Sequence, residues 1–143
     1  PEEIVRAMLL VWQQYSRGPA TFVQHAAAVA LTGDQVGVRK VAAEYQVRRD
    51  RTVQALSGLP GVVPIVPEGG LFVMLDVRGL GLDSDTVRRW LLRDAGVIVI
   101  HGAAYGAGGE GMLRVSFAAG GTTLEQGLTR LRDGLKILAE TKP

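Results

Sequence analysis

The first part of the chain carries hydrophobic residues at helical spacing. From Glu2 to Tyr15 the apolar positions recur every three or four residues, at Ile4, Val5, Met8, Leu9 and Trp12. An alanine-rich run from Ala20 to Leu31 has the composition of a well-buried helix, and a third periodic segment extends from about Gln35 to Leu56. We therefore predict three helices, of which the third is long for one globular domain.

After Gly58 the pattern changes to short β-branched runs. The run Val62–Val66 is interrupted by Pro64, which favours an edge strand because proline cannot donate to a sheet ladder. Leu71–Val77 follows after the turn sequence Pro67-Glu68-Gly69-Gly70. These two runs predict a β-hairpin.

The remaining pattern predicts two further helices and two further strands. Asp83 or Ser84 can cap a helix that buries Val87, Trp90 and Leu91, and Gly96 ends it. The strands are expected at Val97–Ile100 and Met112–Phe117. Thr122 and Glu125 form a possible capping box for a last helix. Its leucines recur at helical spacing, at positions Leu124, Leu128, Leu131, Leu135 and Leu138.

This order of elements defines a fold class. Three helices precede a β-β-α-β-β-α succession, without internal repeats. Segregated helices followed by a small mixed sheet with helices packed on it indicate an α+β architecture. The long third helix has the character of a connector between two parts of a larger molecule.

Composition narrows the functional classes. The 143 residues can bury a core, and 16 basic residues nearly balance 14 acidic ones, so that the net charge of +2 does not suggest nucleic acid as a partner. The apolar stretches are interrupted by polar residues, which excludes a membrane span by sequence. The absence of cysteine fits a reducing cytosol, and we expect a cytoplasmic protein.

Two possible ligand motifs are weak. Gly106–Gly111 matches the glycine spacing of a dinucleotide loop, but it precedes a strand, so no helix N-terminus is available for a pyrophosphate. The two histidines, His25 and His101, are far apart in sequence and neither has a second ligand at metal-site spacing. We predict no metal site.

Arg114 is the most informative single residue. It lies inside the strand Met112–Phe117, where alternation places Arg114 on the face opposite Leu113 and Val115. A guanidinium in such a strand needs an anionic partner. Three alternatives stay open on spacing alone: an internal ion pair with Asp76 or Glu110, simple solvent exposure at a sheet edge, or a clamp for the carboxylate of a ligand.

Several segments together resemble a known family. They are Pro67–Val73, Gly102–Gly106 and the Gly-Glu-Gly-x-x-Arg-x-Ser-Phe sequence that ends at Phe117. In order and spacing they are similar to the class I and II aminotransferases of fold type I, the aspartate-aminotransferase type. Upstream, the region from Ala43 to Asp50 resembles the long interdomain helix of that family. The resemblance covers nearly the whole chain.

The resemblance implies roles for three residues and a cofactor. Arg114 matches the arginine that holds the substrate α-carboxylate, while Gly70 and Phe72 match positions near the substrate entrance. His101 stands where most members have proline. The family uses pyridoxal phosphate, held by a lysine as a Schiff base, and that lysine and most other cofactor ligands lie upstream of the region that this chain matches. The lysines present, Lys40, Lys136 and Lys142, fall on amphipathic helices or in the tail, so no catalytic residue is assigned.

The resemblance also predicts the domain organisation and the parent protein. Residues 1–33 would belong to or pack on a large domain outside this chain, 34–58 would form the connecting helix, and 59–143 would form the small carboxy-terminal domain. We expect a homodimeric parent, with roughly 200 to 250 further residues, that transfers an amino group between an amino acid and a 2-oxo acid. The chain alone is expected to be inactive. The alternatives are a β-lyase or decarboxylase of the same fold, an aminotransferase-like effector domain of a transcriptional regulator, and a free-standing interaction module.

Overall fold

The computed structural model describes residues 1–16 and 18–141, which fall into two compact units, Pro1–Arg39 and Lys40–Pro143. The first unit contains two helices, α1 (Glu2–Tyr15) and α2 (Thr21–Thr32), and the beginning of a third, α3 (Val36–Leu56). The predicted helices are confirmed to within one residue at nearly every end. The amide of Val36 donates to Asp34 Oδ1 at 2.8 Å, which satisfies one of the free amides at the start of α3.

The alanine-rich helix differs from its prediction. We expected a well-buried helix at Ala20–Leu31, but α2 has no buried residue among those that the structure describes. Phe22 is 76% exposed and Leu31 is 82% exposed. Small side chains permit close packing, but burial also needs a second layer of structure, and the composition of one helix cannot supply it.

The second unit is built on a four-stranded sheet. Its strands are β1 (Val63–Ile65), β2 (Phe72–Asp76), β3 (Ile100–His101) and β4 (Met112–Ser116), in the spatial order β1-β2-β4-β3. All three pairings are antiparallel, whereas we had described the sheet as mixed. The α+β class, the β1–β2 hairpin and the edge position of β1 are confirmed.

Two helices cover one face of this sheet. They are α4 (Ser84–Arg93) and α5 (Gly121–Glu140). The predicted leucine stripe of α5 is buried, and it joins Val73, Leu75, Leu113 and Val115 in a single hydrophobic core. No helix within the described ranges is long and apolar enough to span a membrane.

Two local predictions are wrong. Only Ile100 of the run Val97–Ile100 lies in a strand, because the amide of Val97 donates instead to the carbonyl of Leu91 at the end of α4. The helix α5 begins before the expected capping box, with Gly120 as its N-cap and no side-chain cap. Glu125 forms an ion pair with Arg51 of α3. The cap of α4 is Asp83, whose side chain accepts from the amide of Thr86 at 2.9 Å.

Three short 3-10 turns complete the described part of this unit. They span Arg78–Leu80, Gly102–Tyr105 and Ala107–Gly109. The last two occupy the glycine-rich segment between β3 and β4. The segment therefore leads into a strand and not into a helix, as predicted, and it lacks the geometry of a dinucleotide loop.

Candidate functional site

The uncovered face of the sheet, which we call the open face, carries Arg114 at its centre. Alternation along β4 places Arg114 with Met112 and Ser116, while Leu113 and Val115 are buried on the other side. The direct neighbours of Arg114 across the ladder are Met74 on β2 and Ile100 on β3. The predicted orientation of Arg114 is confirmed, and its neighbours on both adjacent strands are apolar.

Two aromatic rings contact the guanidinium of Arg114. Its Cζ atom lies 4.2 Å from the centroid of the Phe72 ring and 5.0 Å from that of the Tyr105 ring. Both distances are within the range of cation–π interactions. Within residues 1–16 and 18–141, no carboxylate forms an ion pair with Arg114, and its side chain donates no hydrogen bond.

Asp76, one of the two internal partners considered for Arg114, is bound elsewhere. Arg78 Nε donates to its two carboxylate oxygens at 3.0 and 3.1 Å, and the Arg78 amide donates at 3.0 Å. These hydrogen bonds lower the pKa of the Asp76 carboxyl, with the side chain of Arg78 as the main cause. Asp76 is therefore ionised and paired with a different arginine.

Glu110, the other internal candidate, connects the glycine-rich segment to α4. Its Oε1 accepts from the amides of Ser84 and Gly111 at 2.8 and 2.9 Å, and its Oε2 accepts from Ser84 Oγ at 3.0 Å. The pKa of the Glu110 carboxyl is lowered, first by the Ser84 amide and next by that of Gly111. The internal ion-pair alternative for Arg114 is thus excluded for both residues that we considered.

Close backbone contact fixes the same segment at a second point. A Cβ atom built on Gly109 would lie 2.2 Å from the carbonyl oxygen of Gly102, and one built on Gly102 would lie 2.1 Å from that of Gly109. Only glycine fits at either position. Tyr105 lies between these two glycines in sequence, so the contact constrains the backbone that carries its ring.

The structure brings together two of the three residues predicted for the site. Phe72 contacts Arg114, as described above. Gly70 has a φ of +80° in the turn between β1 and β2, and it lines a cleft of about 420 Å³ with Tyr45, Arg49, Glu68 and Phe117. Neither Arg114 nor Phe72 lines that cleft. The substrate role of Gly70 stays a prediction without a direct contact to Arg114.

His101 lies on the other side of the sheet from Arg114. It is paired with the buried Leu113, and its Nδ1 atom is buried 3.7 Å from Asp85 Oδ1 on α4 without a hydrogen bond. The structure therefore does not bring this histidine to the open face.

Tyr105 is the residue that sequence reasoning missed. It was noted only as part of the Gly102–Gly106 segment, and nothing in its spacing relates it to Arg114. A weak signal was present, since an aromatic residue follows a strand end in a short segment flanked by glycines. The contact depends on the path of the loop, which the spacing of residues does not define.

The arginine clusters on the helices have internal partners. Arg48 pairs with Glu44, Arg49 with Asp50, and both Arg88 and Arg89 with Asp85. This agrees with solvated helix faces and not with a patch that binds phosphate. Paired guanidinium groups are poorly available to an anionic ligand.

The described lysines do not fit a cofactor anchor. Lys40 on α3 and Lys136 on α5 are exposed, and neither belongs to the open face. Lys142 lies outside the described residues. The part of the chain that the structure describes therefore offers an arginine without an anionic partner, and no lysine beside it that could hold pyridoxal phosphate.

Comparisons with known proteins agree on one kind of enzyme. The chain is 38% identical to the aspartate aminotransferase of Musicola paradisiaca over 137 residues, covering 94% of this chain and 34% of that enzyme. It is 31% identical to aromatic-amino-acid aminotransferase 2 of Thermococcus litoralis over 144 residues, covering 99% of this chain and 36% of the enzyme. No family model matches the chain.

A solved structure gives the same result for the fold. The aspartate aminotransferase from Rhizobium meliloti superposes on 94% of this chain with a TM-score of 0.80 and 30% sequence identity. The match covers 36% of that protein. This chain thus spans about a third of the length of the curated relatives it matches.

Proposed function

Because this chain belongs to the family of aspartate and aromatic aminotransferases, we propose that its full-length parent transfers an amino group between an amino acid and a 2-oxo acid. Within that reaction the open face of the sheet binds the α-carboxylate of the substrate through Arg114. The proposal concerns the whole parent, because this chain spans only about a third of the length of its relatives.

One observation carries the assignment of Arg114. Arg114 is half-buried on the open face, and among the described residues no carboxylate pairs with it, although Asp76 and Glu110 are close in sequence or in the sheet. An arginine in apolar surroundings that is left without an anion favours an anionic ligand. The planar fork of N–H donors matches a carboxylate in bidentate geometry.

The clamp would contribute orientation as well as affinity. A carboxylate fixed by two parallel hydrogen bonds cannot rotate freely, so the attached Cα has a defined position relative to the rest of the site. The apolar neighbours Phe72, Met74 and Ile100 would shield one side of this contact from water, which would strengthen it. Arg114 is therefore proposed as a substrate-binding residue, with Phe72 and Gly70 towards the entrance.

Pyridoxal phosphate, which the family implies, would supply the electron sink for bond changes at Cα when it is bound to the parent. We propose that its anchoring lysine lies outside this chain, since Lys40 and Lys136 are exposed on helices away from the open face. We also propose that residues 1–33 belong to or pack on a larger domain, that 34–58 connect the two domains, and that 59–143 form the small domain. Cytoplasmic location and a homodimer are expected of the parent on the same basis.

The fate of the amino nitrogen tests the proposed reaction. Purified parent would be incubated with a ¹⁵N-labelled amino acid and an unlabelled 2-oxo acid, and the products followed by mass spectrometry. Transamination moves the label to the new amino acid and leaves the carbon skeleton of the donor as its 2-oxo acid. Release of labelled ammonia with loss of a β-substituent, or of CO₂ with a labelled amine, would replace transamination with lyase or decarboxylase chemistry.

A further inference from the structure

Arg114 differs from most other arginines of the chain in what holds its side chain. Among the described residues, many arginines are fixed by a carboxylate within 4 Å, namely Arg6, Arg39, Arg48, Arg49, Arg51, Arg78, Arg88, Arg89 and Arg93. Arg114 instead contacts the rings of Phe72 and Tyr105. A free arginine side chain samples many rotamers, so these contacts restrict where the guanidinium lies.

The two rings come from opposite sides of β4. Phe72 is on β2, paired with Ser116 and therefore two positions along the ladder from Arg114. Tyr105 follows β3, the strand on the other side of β4, in the 3-10 turn Gly102–Tyr105. Each ring is thus anchored independently, one by a strand ladder and the other by the turn that the Gly102–Gly109 contact holds in place.

A ring contact leaves the hydrogen-bonding capacity of the guanidinium unused. A cation–π contact involves the face of the aromatic ring, whereas the five N–H donors of arginine lie in its own plane. A carboxylate partner would occupy those donors and compete with a substrate. Aromatic rings hold the charge in position without that competition.

From this geometry we propose that Phe72 and Tyr105 are positioning residues, which together hold the Arg114 guanidinium ready for a substrate carboxylate. The inference rests on the proposed function, because it assigns these rings to the same carboxylate site. The rings lower the entropy lost by Arg114 when the carboxylate binds. A purely structural role fits them poorly, since Phe72 is 40% exposed and Tyr105 is 59% exposed.

The test uses the full-length parent with its cofactor bound. Tyr105→Leu and Phe72→Leu should each raise the KM for the amino acid by about 10-fold, because each removes one ring from the guanidinium. Cofactor absorbance and thermal stability should stay close to those of the wild type. Tyr105→Phe keeps the ring and should recover most of the affinity that Tyr105→Leu loses.

A matched control exists elsewhere in the chain. The Tyr45 ring lies 4.9 Å from Cζ of Arg48, nearly the same distance as in the Tyr105 contact, but Arg48 is already paired with Glu44. Tyr45→Leu removes a comparable ring from a different guanidinium. It should lower thermal stability, since Tyr45 packs against the core, whereas Tyr105→Leu and Phe72→Leu should not.

A double-mutant cycle separates this inference from the proposed function. In an Arg114→Gln background, Tyr105→Leu should change the dissociation constant of a carboxylate inhibitor by less than two-fold, because there is no guanidinium left to position. If Arg114→Gln weakens binding while Tyr105→Leu and Phe72→Leu do not, the positioning role is overturned and the carboxylate clamp stands. An undiminished effect of Tyr105→Leu without Arg114 would also overturn positioning. If Arg114→Gln has no effect, the clamp and the inference both fail.

Discussion

At the scale of single residues, two carboxylates near β4 have structural partners, whereas Arg114 has no carboxylate partner among the described residues. Asp76 and Glu110 are the acidic residues nearest to β4 in sequence or in the sheet, and each has two or more donors of its own. The same hydrogen bonds lower the pKa of both carboxyls. The donors of Arg114 therefore stay free, because other groups already satisfy both of these carboxylates.

Glu110 gives a prediction about pH. Its pKa is lower in the folded chain than in the unfolded one, so the ionised carboxylate stabilises the fold at neutral pH, and this contribution disappears as the pH falls through the folded pKa. Glu110→Gln should lower the melting temperature at pH 7, and the difference from the wild type should shrink as the pH is lowered below the ordinary glutamate pKa of about 4.3. Thermal melts followed by circular dichroism across this range measure it.

Glu68→Gln is the matched control for this series. Glu68 is exposed in the turn before β2 and has no side-chain hydrogen bond among the described residues. Its replacement should leave the melting temperature nearly unchanged at both ends of the range. A gap between Glu110→Gln and the wild type that stays constant with pH would contradict the linkage.

At the scale of secondary-structure elements, periodicity correctly predicted the features that depend on a single segment of the chain. The helical repeats of α1, α3 and α5 and the alternation of β4 each follow from one segment, and they were correct almost to the residue. The strand prediction was wrong for Val97–Val99, because the amide of Val97 donates to the end of α4. This tertiary contact outweighs the β-branched composition of the segment. The predicted burial of α2 was wrong for a similar reason, since burial depends on what packs against the helix.

The turn before β4 carries a prediction of its own. Gly109→Ala places a methyl group against the carbonyl of Gly102, whereas Gly108→Ala places one in open space. Gly109→Ala should destabilise the fold by about 1 to 3 kcal/mol, since backbone atoms must move to relieve the contact. Urea denaturation of the two variants measures the difference.

The same pair of variants reports on the open face. A shift of the turn moves Tyr105 away from Arg114, so Gly109→Ala in the full-length parent should also raise the KM for the amino acid. Gly108→Ala should resemble the wild type in both assays. Equal stability of the two variants would show that the Gly102–Gly109 contact has no structural weight.

At the scale of the whole molecule, the candidate site was only partly accessible from sequence. Arg114 and Phe72 could be assigned because a strand motif resembled a family, and alternation gave the correct face. Tyr105 could not, because its contact with Arg114 depends on two successive 3-10 turns and a close approach of two glycines. The full exposure of α1 and α2 could not be predicted either, since it depends on what packs against these helices.

The central claim is that Arg114 binds the substrate carboxylate, and steady-state kinetics of Arg114→Lys in the full-length parent test it most directly. Two charge-assisted hydrogen bonds are worth about 1.5 to 3 kcal/mol each, so losing the fork should lower kcat/KM by on the order of 100-fold, with cofactor absorbance intact. Lysine keeps the charge but not the bidentate geometry, so it should recover only part of the activity that Arg114→Gln loses. An unaltered kcat/KM per folded molecule, with only the thermal stability reduced, would contradict the account.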